Sequence, residues 1–65
     1  MDAAKGERYA RLFRKAGTFI GKGNIARAIE VLKQGVELAH SLGDKGMARR
    51  FADEIARISK ADPPP

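Results

Sequence analysis

The chain predicts an all-α fold, a three-helix antiparallel bundle. Apolar residues recur at i, i+3, i+4 and i+7 along three successive stretches, the spacing of one helical face. Those stretches are separated by two glycines, each followed by a short polar capping residue, Gly23-Asn24 and Gly43-Asp44. No stretch alternates apolar with polar residues as a half-buried strand does, and the connections are too short to hide one.

The first helix is expected over about 3–22. Tyr9, Leu12, Phe13, Ala16, Phe19, Ile20 and Gly23 follow the helical rule without a break and form one stripe. Asp2 precedes it as an N-cap, and Gly21-Lys22-Gly23 ends it. The second helix is expected over about 24–42, capped by Asn24. Its apolar and small positions are Ile25, Ala28, Ile29, Val31, Leu32, Gly35, Val36, Leu38, Ala39 and Leu42. At ~100° per residue they cover about half the circumference. A surface helix needs a narrower stripe, so this one touches neighbours on two sides and is the central helix.

Gly43 ends the second helix and Asp44 caps the third, expected over about 44–61. Met47, Ala48, Phe51, Ile55 and Ile58 form its buried stripe. On the far side Arg49, Asp53 and Arg57 stand four apart, as do Arg50 and Glu54, a spacing that supports a solvated helical face. Asp62 and three prolines stop the helix, giving one domain over 1–62 and a proline tail at 63–65.

The seven residues Leu12, Ala16, Phe19, Gly23, Ala28, Leu32 and Gly35 resemble the tetratricopeptide repeat. That repeat has a helix with a small residue near its middle, a glycine, and a second helix with small, large and small positions. The resemblance runs from about Arg8 to Ile58, with the third helix standing as the first helix of a next repeat or as a terminal capping helix. His40 takes the place of the repeat's closing proline, so Gly43 sets the exit turn. A three-helix domain of the microtubule-interacting-and-trafficking kind is a second, lower-ranked resemblance, because its second helix is longer. The first resemblance implies a protein-binding module that docks a partner helix, and one and a half repeats leave apolar surface uncovered.

Length and composition narrow the functional classes. A chain of 65 residues sits near the lower limit for a self-sufficient core. It has no cysteine and one histidine, which excludes a disulfide staple and a structural zinc site. Stability must come from close helix packing, self-association or a partner. Apolar runs are too short for a signal peptide or membrane span, so a cytoplasmic protein that keeps off membranes is expected.

The net charge of +5 is unevenly placed. Residues 1–23 carry six basic side chains against Asp2 and Glu7, the middle segment is balanced, and residues 43–65 carry five against four. Within the first helix Arg8, Arg11, Lys15 and Lys22 fall inside ~60° of one another. This stripe, with Tyr9 at its boundary, is the expected contact for an acidic protein partner. A nucleic-acid-associated protein is the alternative. It ranks second because no aromatic residues outside the core stripe are interleaved with the basic ones to stack bases, and no helix pairs base-reading residues with a basic cluster.

Another face of the first helix is small: Ala3, Ala10, Gly17 and Gly21 lie together. A glycine inside a helix costs roughly 1 kcal/mol relative to alanine, so two of them suggest a close approach. Ala10, Gly17 and Gly21 are therefore the expected seam of a homo-dimer, against the reading in which the glycines mark an early helix end. His40 is expected at the helix end, interacting with the dipole. Asp53 and Glu54 diverge by ~100° and cannot flank one bond. No catalytic constellation, phosphate loop or metal-ligand set occurs, so neither catalysis nor a cofactor or metal is expected.

Overall fold

A computed structural model describes residues 3–61, with side-chain surroundings for 6–60. It contains α1 (Ala3–Gly21), α2 (Ile25–Ser41) and α3 (Lys45–Ala61), and no strand among the described residues. The fold is an all-α three-helix bundle. Asp2 as a cap, the side chain of Ala3, and Asp62 with the proline tail lie outside the described residues. The four helix ends at the two turns fall one residue short of the expected ones, because the turn and capping residues stand just outside the helices, and the outer ends at 3 and 61 agree.

Both turns use the same device. Gly23 and Gly43 take positive φ, 77° and 70°, a conformation open to glycine because it lacks Cβ. At the first turn the Gly23 amide donates to the Ile20 carbonyl at 2.9 Å and the Asn24 amide to the Phe19 carbonyl at 2.8 Å. At the second, Gly43 donates to His40 at 3.0 Å and Asp44 to Ala39 at 2.8 Å. These bonds satisfy carbonyls that a helix end would otherwise strand. The next side chain then starts the following helix: Asn24 Oδ1 accepts from the Arg27 amide at 3.3 Å, and Asp44 Oδ1 from the Met47 amide at 3.1 Å. Each glycine–cap pair thus ends one helix and begins the next. The chain reverses at once and neighbours run antiparallel.

Two expected stripe positions move as a result. Gly23 belongs to the turn and is exposed. Leu42 lies beyond the end of α2 at its C-cap and is 42% exposed, so the apolar arc of that helix closes at Ala39.

α2 is central. It packs against both α1 and α3, whereas no α1 Cα comes within 8 Å of one in α3. Small residues are buried in the core at Ala16, Ala28, Gly35, Ala39 and Ala48. Where α1 and α3 stand apart, aromatic rings bridge them. Phe13 stacks on Phe51 with centroids 4.4 Å apart and planes 8° from parallel, and Tyr9 meets the same ring at 5.8 Å. Phe51 and Leu32 are fully buried, with Val31 and Ile58 beside them.

The outer face of α3 differs from its expected pairing. Arg49 reaches Asp53 at 4.0 Å, but Glu54 pairs with Arg57 rather than with Arg50. The Arg50 guanidinium instead lies 5.7 Å from the centre of the Phe13 ring. A cation over a ring face competes with an exposed ion pair, since both are worth about the same.

Candidate functional site

Arg8, Arg11 and Lys15 stand exposed on α1, whereas Lys22 is exposed in the turn just beyond its end, off the helical stripe expected for it. Two of them belong to something more than a solvated stripe. Arg8 and Arg11, with Leu12, face Gln34 and Leu38 of α2 across an open cleft of ≈ 280 Å³. Leu12 and Leu38 are half-buried and supply an apolar floor, and the other three side chains form an exposed polar rim. Among the described residues neither arginine is in an ion pair, and no acidic side chain lines the cleft. Lys15 and Lys22 are not part of its lining.

The turn explains why these residues meet. Arg8 and Leu38 each stand fifteen residues from Gly23, and Leu12 and Gln34 each stand eleven. An antiparallel pair closed at that glycine brings residues of equal separation to the same level. Gln34 had no role in the sequence reading and Leu38 was counted only as core. Counting outward from Gly23 is the signal that finds them.

Tyr9 requires a correction. Expected at the boundary of the basic stripe, it is 6% exposed and its ring packs on Phe51. Its hydroxyl donates to Asp44 Oδ2 at 3.2 Å, across 35 residues of sequence. A phenol can enter a core when its oxygen keeps a partner, and the carboxylate that caps α3 provides one. Tyr9 therefore ties α1 to the second turn.

Ala10, Gly17 and Gly21 are exposed. A Cβ built on Gly17 or Gly21 would meet nothing within 4 Å among the described residues. α1 continues past Gly17, where Thr18 Oγ1 donates back to the Arg14 carbonyl at 3.1 Å, and ends at Gly21. Gly17 does not end the helix. His40 is exposed in the last turn of α2.

Among the described residues no three His, Cys, Asp or Glu side chains gather where a metal ion could bind. No described helix is long and apolar enough to cross a membrane. On α3 the Glu54 carboxyl is held below its ordinary range by the hydrogen bond from Arg57. No protein-family model, curated protein or solved structure matches this chain. The class is therefore defined by the fold and the cleft: a small all-α bundle with an amphipathic, basic groove between its first two helices.

Proposed function

We propose that this chain is a non-catalytic protein-interaction module of tetratricopeptide-like kind, acting in the cytoplasm as an adaptor or assembly factor. The carrying observation is the cleft in which Arg8 and Arg11 flank an aliphatic floor. Charge at a rim steers a partner of opposite sign, and an apolar floor holds it. Lys15 extends the same positive field along α1, and Lys22 carries it into the first turn. Tyr9 contributes by fixing α1 against the second turn rather than by touching the partner.

The test is capture from native lysate on the immobilised chain at two salt concentrations, alongside titration against duplex and single-stranded nucleic acid. A discrete protein retained at the higher salt supports the module. Nucleic acid retained there, with no protein, would replace this reading by that of a small basic nucleic-acid-associated protein. A purely electrostatic contact with phosphates weakens steeply as salt rises.

A further inference from the structure

We infer that the cleft between α1 and α2 takes an acidic, leucine-containing peptide segment, seating one aliphatic side chain between Leu12 and Leu38 and a carboxylate on Arg8 and Arg11. The inference rests on the protein-interaction reading and names the chemistry of the partner.

Its floor and rim ask for different things from one ligand. Leu12 and Leu38 are half-buried in the free chain, so an incoming aliphatic group completes a burial already begun. Arg8 and Arg11 stand one helical turn apart beside that floor. A guanidinium presents two parallel N–H donors matched to the two oxygens of a carboxylate, and such charge-assisted pairs are stronger than neutral hydrogen bonds. Gln34, across the cleft, carries an amide donor and acceptor of the kind that a peptide backbone satisfies. At ≈ 280 Å³ the space lies at the small end of ligand sites, the size of a side chain or two rather than of a cofactor.

A nucleic acid fits this site less well. Phosphates need only the positive charge, and unpaired bases need exposed aromatic faces on which to stack. The floor here is aliphatic. The nearby rings of Tyr9 and Phe13 are already spent on Phe51.

The test uses the full chain and a blocked dodecapeptide carrying leucines flanked by glutamates. Comparison peptides replace leucine by alanine or glutamate by glutamine, and poly-glutamate and duplex DNA of similar charge complete the set. Affinity is read by calorimetry and located by amide chemical-shift changes. The leucine–glutamate peptide is expected to bind about tenfold more tightly than either comparison peptide. Arg8→Gln and Arg11→Gln, both at exposed positions, are each expected to lower that affinity about tenfold. Leu38→Ala is expected to abolish the preference for leucine while leaving poly-glutamate binding unchanged. Equal binding of poly-glutamate or DNA, or no binding of the leucine–glutamate peptide, overturns the inference. A protein captured from lysate at high salt but indifferent to Arg8→Gln, Arg11→Gln and Leu38→Ala would overturn the cleft alone and leave the module standing.

Discussion

The ring of Phe51 rests directly on the backbone of Gly35, leaving no space for a side chain there. A methyl group at position 35 would stand 2.5 Å from Cδ1 and 2.6 Å from Cζ of that ring. The ring cannot swing aside freely, because it is fully buried and stacked on Phe13. Gly35 is thus the point at which α2 lets α3 in.

Two opposing effects decide the outcome of Gly35→Ala. Alanine favours the helix by about 1 kcal/mol over glycine, while overpacking a closed core costs about 1–3 kcal/mol. With contacts this short the overpacking wins, and a net loss of stability is expected in chemical denaturation. Phe51→Ala alone should lose about 3–5 kcal/mol. In that background the ring is gone, so Gly35→Ala should turn favourable. The reversal of sign is the diagnostic, and a Gly35→Ala that destabilises equally in both backgrounds would break the link between the two residues. A near-neutral Phe51→Ala would mean that α3 does not pack on the other helices.

These residues also mark how far the sequence alone could be read. Periodicity and the glycine–cap pairs locate three helices to within a residue, and the wide arc of α2 identifies it as central. Gly35 was legible as a small position. The ring that fills its space comes from another helix, and periodicity within one helix says nothing of that. Arg50 shows the same limit: its i+4 spacing points to Glu54, but the competing Phe13 ring belongs to α1. Tyr9 stands in the apolar stripe of α1 and at the boundary of its basic one, and spacing alone does not choose between core and rim. Only the placement of the Asp44 carboxylate beside it allows full burial. The cleft needed the pairing of α1 with α2 about Gly23, which a helix-by-helix reading does not supply.

Asp44 joins two tasks, so its substitutions should separate them. One oxygen caps α3 through the Met47 amide and the other accepts from the Tyr9 hydroxyl. Tyr9→Phe removes only the second bond and should cost about 1 kcal/mol. Asp44→Ala removes both, adding a lost cap of about 1 kcal/mol to the loss of the acceptor. Asp44→Asn retains a capping oxygen and should fall between Asp44→Ala and the parent chain. Thermal unfolding of the three variants orders them. Equal losses for Tyr9→Phe and Asp44→Ala would show that the cap on α3 contributes nothing.

The Glu54–Arg57 pair predicts a direction for acid sensitivity. The hydrogen bond from Arg57 is the main cause of the lowered Glu54 pKa; desolvation opposes it, and the charges of Arg57 and Arg50 add lesser lowering contributions. A carboxyl whose folded pKa is depressed stabilises the fold above its unfolded pKa, and that contribution fades as pH falls through the folded value. Exposure of Arg57 keeps the effect small. Carbon-detected titration should place the Glu54 midpoint below the ordinary glutamate range, and Arg57→Gln should raise it. A Glu54 midpoint unmoved by Arg57→Gln would show that the pair does not persist in solution.

The open glycines of α1 make the last prediction, self-association. Gly17 and Gly21 are exposed, and a Cβ on either would meet nothing within 4 Å among the described residues, so Gly17, inside the helix, carries its propensity cost without an internal contact in return. A second copy approaching along Ala10, Gly17 and Gly21 would use that space, and two-fold pairing would bury the face against itself. The expected species is a homo-dimer by sedimentation equilibrium in the micromolar range. Gly17→Leu should make the monomer more stable, since leucine is a far better helix former and a Cβ there meets nothing within 4 Å, while Gly21→Leu, at the last residue of α1, should gain less. The same variants should weaken the dimer, because the added side chain holds the two backbones apart. Stability rising while association falls is a combination that a merely exposed helix face does not produce. A monomer mass throughout the concentration range would remove the dimer, and an undiminished dimer in both variants would place its interface on another face.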